Sequence, residues 1–367
     1  MFQSFNQKKT DQSTAPMFLG EGLNVARYDI QKHPLFEYLT QTQLSFFWRP
    51  EEISLTGDVV DFNNFTAMEK HIFISNLQYQ ILLDSVQGRS PSIALLPIAS
   101  LPELEVWIQS WTFSETIHSR SYTHIVRMLF ADPSVVFDKI LDNQHILDRA
   151  SSISNYYDDL IRAINIYQSL GQRGNMKDIK RKLYLALHSI NALEAIRFYV
   201  SFACTFGFAE NSKIEGCAKI MRLIARDEQL HCTGTEHMIH LINHNLDNDS
   251  EMYYIAQTCK HEAEEIFMDV VQQEKAWAKY LFSQGEILGL NERLLSSYID
   301  YLAYRKMKLI GLEYKGPRVR ENPLLWMNKY LQSDNVQVAP QETELASYLV
   351  GQIDNKLDPD SISKWKL

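Results

Sequence analysis

Two Glu-x-x-His steps, Glu115/His118 and Glu228/His231, lie inside long apolar stretches of this 367-residue chain. With 24 Glu and 11 His in the sequence, chance supplies about 0.7 such steps, so the count alone decides little. Context carries more. Residues three apart share one face of a helix, so a Glu and a His at that spacing can hold one metal ion from one side. From Pro102 to Phe130 there is no Gly or Pro after the first turn, and Leu, Ile, Trp and Phe abound. The run from Ile214 to Leu241 carries Ile220, Leu223, Ile224, Leu230 and Met238 on its inner faces. Charged groups on such helices need a partner.

Two further acids stand in costly places. Asp84 follows the apolar run from His71 to Leu83, near the end of a helix expected to start close to Thr66. Glu194 lies within LYLALHSINALEAIRFYVSFACTF. The buried carboxylates of Asp84, Glu115, Glu194 and Glu228 are balanced in charge by two divalent cations, with His118 and His231 completing the donor set. Four helices contributing two Glu-x-x-His steps and two lone acids are what a di-metal bundle requires. Oxygen and imidazole donors without thiolate suit iron or manganese better than structural zinc. The alternative is that each acid and histidine is a satisfied core residue.

Tyr122 adds redox chemistry. It stands one turn after His118 on the same helix face, so its phenol is expected close to the metals. Phe198 and Phe202 follow Glu194 at steps of four, and Ile224 precedes Glu228 by four. These side chains would surround the phenol with hydrocarbon, as a long-lived tyrosyl radical requires. A packing role with one hydrogen bond is the alternative for this tyrosine.

Four segments, DSVQGRSP, SETIHSRSYTH, NALEAIRFYVSFAC and ARDEQLH, together resemble the class Ia ribonucleotide reductase small (beta) subunit, from about Phe18 to the C-terminus. The resemblance implies an all-α, ferritin-like helical bundle with a di-metal carboxylate site in its core. It implies Asp84, Glu115, His118, Glu194, Glu228 and His231 as ligands of two irons, with manganese the possible replacement. It further implies Tyr122 as the radical site, formed by reaction with dioxygen and relayed to a large (alpha) subunit that reduces ribonucleotides to deoxyribonucleotides. A homodimer is also implied. Trp48, in LSFFWRPEE, matches the family's tryptophan near the metals, and Asp227 the acid linking it to His118. An acid on the far nitrogen of a metal-bound histidine also fixes its tautomer.

Near the end, PQETELASYLVGQ resembles the segment with the family's tail tyrosine, here Tyr348, with Glu342 six residues before it. Residues 1–332 are expected to form the helical di-metal domain, 1–17 being a flexible arm, and 333–367 a flexible tail. In the family the last residues dock on the large subunit, which would make Tyr348 to Leu367 the binding peptide. The ending Trp365-Lys366-Leu367 departs from the family's tail sequence, so the resemblance does not extend to pairing with another species' large subunit.

The supporting elements follow from composition. A chain with 45% hydrophobic residues, 14 Gly and 11 Pro favours long helices, and no alternating strand run, Gly-x-Gly-x-x-Gly or phosphate loop is found. Helices are expected near 34–46, 66–86, 102–129, 151–170, 178–207, 214–241, 251–284 and 291–311. A net charge of −9 and a pI near 5.7 provide no basic field for nucleic acid or anionic membrane. No apolar run is expected to reach the roughly 18 residues of a spanning helix, the start lacks a signal-peptide core, and a cytoplasmic protein is expected. Cys204, Cys217, Cys232 and Cys259 form no Cys-x-x-Cys and read as free packing thiols. His237, His240 and His244 follow His231 at helical steps without an acid to complete a second metal set, which favours a helix end facing solvent. Two other functions share the ligands: an iron store, which has no use for Tyr122, and a di-iron oxidase or monooxygenase, which needs a substrate cavity reaching the metals.

Overall fold

The structure, a computed structural model, describes residues 5–332 apart from Gln172. The expected tail residues Glu342, Tyr348 and Leu367 lie outside the described residues. The first half contains α1 (Pro34–Ser45), α2 (Thr56–Asn63), α3 (Ala67–Gln87), α4 (Ser90–Ala94), α5 (Pro102–Leu129), α6 (Ser134–Phe137) and α7 (Gln144–Ser169). Then come α8 (Met176–Ala192), α9 (Phe198–Ala209), α10 (Glu215–Asn243), α11 (Ser250–Thr258), α12 (Lys260–Leu281), α13 (Glu292–Leu309) and α14 (Met327–Leu331). Strand-like pairing among the described residues is confined to the isolated bridges Phe18–Ala99 and Ile287–Leu290.

Local chemistry explains where the site-bearing helices begin. Thr66 and Glu69 close a reciprocal capping box at the start of α3, satisfying amides that the helix leaves open. Pro102 opens α5, where its missing N–H costs nothing. α10 has no cap of its own. Asp58 and Asp61 of α2 cap it from outside, accepting from the amides of Gly216 (3.1 Å), Cys217 (2.6 Å) and Ile214 (2.8 Å). Ile214 itself is held at φ 50°, a left-handed conformation that β-branched residues rarely adopt.

Expected and observed helices agree within two residues for α1, α3, α5, α10 and α13. α2 was not expected, and α7 starts seven residues early because the Asn143 side chain caps it through the His145 amide. The expected 251–284 helix breaks at Cys259 into α11 and α12. The 178–207 helix is continuous but contains one π-helical turn, Leu193–Arg197, which joins α8 to α9. Contrary to expectation, Met176–Ala209 holds a window apolar and long enough to span a membrane, but 94% of that window is buried inside the protein. Its hydrocarbon is core.

Residues 5–17, expected as a loose arm, are tied down: Asn6 donates to Gly22 O (2.8 Å), and Met17 N donates to Asp247 at 2.8 Å. Around the centre, α3 packs on α5 and α9, and α10 packs on α5, α8 and α9. The approach of α10 to α5 depends on Gly234, where a Cβ would come within 2.5 Å of the Trp107 indole nitrogen.

Candidate metal centre

Six side chains from this bundle converge on one fully buried space. α3 supplies Asp84, α5 supplies Glu115 and His118, the π turn supplies Glu194, and α10 supplies Glu228 and His231. Asp84, Glu115 and His118 place donor atoms within 4.8 Å of one another, and so do Glu115, Glu194, Glu228 and His231. Glu115 belongs to both groups, the position of a carboxylate that bridges two ions. A π turn widens the helix by one residue, a device found at functional sites, and here it carries Glu194.

The polar atoms in this space are not satisfied by each other. Both oxygens of Asp84 and of Glu228, Oε2 of Glu194 and Nδ1 of His231 are buried without a hydrogen-bond partner. His231 Nδ1 lies 3.0 Å from Glu115 Oε1 and 3.4 Å from Glu228 Oε2, and His118 Nδ1 lies 3.1 Å from Glu228 Oε1. Donor atoms brought this close, most of them without hydrogen-bond alignment, offer one cation several ligands at once. Leaving such groups unpartnered costs about 1–3 kcal/mol each, more for charged ones, so the residues fit a di-metal site.

The electrostatics of the metal-free pocket agree. Burial first, then the neighbouring Glu115, pushes the Asp84 and Glu228 carboxyls well above the ordinary range, and burial does the same to Glu194. Burial would raise Glu115 too, but His231 and His118 hold it down at about 2. His118, against the pull of burial, is raised to about 10 by its bonds to Asp227 and Glu115. Protons occupy the place of cations, and binding metal releases them.

The far nitrogens are held from behind. His118 Nε2 lies 3.2 Å from Asp227 Oδ2, which also accepts from Trp48 Nε1 (2.9 Å) and Ser114 Oγ (3.2 Å). His231 Nε2 lies 3.2 Å from Gln43 Oε1. Trp111 Nε1 donates to Glu115 Oε1 at 2.9 Å, and Gln87 donates to Glu194 while accepting from the Tyr157 hydroxyl at 3.0 Å. Sequence reasoning found Trp48 and Asp227 through the resemblance and missed these others. Trp111 and Ser114 had a helical signal, each one turn before a donor on α5. Gln43 and Tyr157 had none, because they arrive from α1 and α7.

Tyr122 is fully buried with its hydroxyl facing Asp84, and burial followed by the adjacent Asp84 pushes the phenol well above its ordinary pKa. Phe198, Phe202 and Ile224 are fully buried in the same core, the two phenyl rings stacked with centroids 6.1 Å apart. His240 and His244 face solvent with ring centroids 4.2 Å apart, while the half-buried His237 packs on Phe36 at 5.3 Å.

Residues 27–323 match the family model "Ribonucleotide reductase, small chain". The ribonucleoside-diphosphate reductase 1 subunit beta of Salmonella typhimurium is 54% identical, with the whole of both chains covered. A ribonucleotide reductase R2 subunit from Clostridium botulinum superposes with a TM-score of 0.75 at 27% identity, covering 90% of this chain and 98% of that one. A Streptococcus sanguinis protein described as dimanganese(II) shares the fold, with a TM-score of 0.67 at 18% identity, covering 84% of this chain and 100% of that one. The ferritin-like helical frame, the carboxylate and histidine cluster at its centre and these likenesses place the chain in the ribonucleotide reductase small-chain family.

Proposed function

We propose that this small subunit of a ribonucleoside-diphosphate reductase forms a radical on Tyr122 beside a di-iron site and passes it to the large subunit. One observation carries the reading: the Tyr122 hydroxyl is sealed from solvent and next to Asp84 of the donor cluster. Asp84, Glu115 and His118 would hold one ion, and Glu115, Glu194, Glu228 and His231 the other. When bound, two irons supply the oxidising equivalents with dioxygen. Oxygen and nitrogen donors accept manganese as well, and the oxidisable tyrosine is what favours iron.

The chain's own residues do the rest. Asp84, with both oxygens free of other hydrogen bonds, is the acceptor for the phenolic proton. Phe198, Phe202 and Ile224 exclude water and reductants from the radical. Trp48, Asp227 and His118 form a hydrogen-bonded chain leading away from the site. Tyr348 continues that path across the subunit interface, and the tail with Glu342 and Leu367 docks on the large subunit. Residues 333–367 thus form a separate docking segment after the helical domain. Exposed apolar residues on α1 and α5, Tyr38, Leu44 and Phe113, support a homodimer. Four buried free thiols support a reducing, cytoplasmic setting. The oxidase alternative needs a cavity at the metals, and five cavities among the described residues are lined by none of the six donors, nor by Tyr122, Phe198, Phe202 or Ile224.

Electron paramagnetic resonance after adding ferrous iron and air, with metal counted on the same sample, tests this. A tyrosyl signal with about two irons per chain is expected. Tyr122→Phe should keep the irons and lose the signal. A Tyr122→Phe variant that still supports nucleotide reduction with its large subunit would refute the assignment.

A further inference from the structure

Outside the metal centre, one thiol keeps unusual company. Cys232 of α10 accepts a hydrogen bond from the Lys306 ammonium of α13 at 3.2 Å, and both reach Glu236 Oε1, at 3.1 Å from the sulfur and 2.9 Å from the nitrogen. Cys204, by comparison, donates to the backbone oxygen of Val200 at 3.7 Å. Cys232 is buried, but the Lys306 and Glu236 side chains keep 24% and 17% of their surface, so the cluster reaches solvent at its lysine end. A thiol, an ammonium group and a carboxylate are thus held together across two helices.

We propose that Cys232 Sγ and Lys306 Nζ join through a single oxygen atom when the chain meets dioxygen. The ammonium proton passes to Glu236 as the O–N bond forms. The S–H bond, one N–H bond and the O–O bond break; S–O and O–N bonds form. One oxygen atom of dioxygen becomes the bridge, and the other leaves as water with the thiol hydrogen and one amine hydrogen. Sulfur and nitrogen each lose two electrons, and dioxygen takes up all of them. The bridge ties α13 to α10 one residue after His231, and excess dithiothreitol reduces it to thiol and amine. The reaction does not depend on the radical chemistry of Tyr122.

Purified full-length protein, kept anaerobic or exposed to air without added metal, is digested and examined by mass spectrometry. After air, a joined peptide pair spanning Cys232 and Lys306 is expected, about 14 Da heavier than the sum of its parts. In parallel, the thiols alkylated under denaturing conditions fall from the four of the reduced chain to three. Dithiothreitol restores the fourth, and Lys306→Arg, which keeps the charge facing Glu236, abolishes the joined pair. Four alkylatable thiols after air exposure, or a Cys232 oxidised without any link to Lys306, would overturn the proposal.

Discussion

At the residue scale, Asp227 shows how a side chain that holds no ion can govern one that does. Burial alone would raise its carboxyl, but the bond to His118, with further help from Arg226 and Trp48, keeps it ionised. It thereby directs Nε2 of His118 backward and leaves Nδ1 facing the acids. Asp227→Asn keeps the shape and removes the charge. We expect metal affinity to fall about 10- to 100-fold, measured by competition with a chelator, with little change in helix content. Affinity equal to the parent chain would show that Asp227 serves Trp48 alone.

At the element scale, the π turn that presents Glu194 is pinned by a buried ionic network. Arg197, at the end of that turn, donates to Glu274 of α12 at 2.8 Å; Arg149 Nε (3.0 Å) and the Tyr79 hydroxyl (2.8 Å) donate to the same oxygen. The Arg149 guanidinium also lies over the rings of Tyr79 and Trp277, 3.3 and 3.9 Å from their centres. Glu274→Ala would leave two buried guanidinium groups without their carboxylate. The expected cost is on the order of 3–5 kcal/mol, read as a lower urea midpoint, together with fewer metals retained per chain. A change under about 1 kcal/mol would mean that packing of α8 and α9, not this network, sets the turn.

At the scale of the whole molecule, the metal-free pocket makes stability depend on pH. Asp84, Glu194 and Glu228 hold protons above the ordinary carboxylate range, and His118 holds one up to about 10. At these four groups the folded chain binds more protons than the unfolded chain, so their contribution to stability falls as pH rises, opposed only up to the ordinary histidine pKa by His188 and His237, which burial holds down at about 3 and about 4. Glu115, lowered to about 2, is already ionised and contributes no opposite trend in that window. The Tm of metal-free protein should drop as pH rises from about 6.5 to about 8, and metal should flatten the curve by replacing those protons. Identical pH profiles with and without metal would contradict this. Removal of residues after Asn335 should leave the radical signal intact and abolish binding to the large subunit in a pull-down or titration. Unchanged affinity would place the docking surface on the helical domain.

The donor types and their spacing were legible in the sequence because helical periodicity is local: Glu115 with His118, Glu228 with His231, and Tyr122 one turn along follow from 3.6 residues per turn. The long helices and the burial of Glu194 followed equally from apolar runs. Segment likeness supplied Trp48 and Asp227. Tertiary structure alone decided what crosses between elements, since no periodicity relates residues far apart in the chain. It brought Gln43 to His231, Tyr157 through Gln87 to Glu194, and Asp58 and Asp61 to the bare start of α10. It also turned a stretch apolar enough for a membrane into the centre of a bundle, because hydropathy measures what leaves water and not whether lipid or protein receives it.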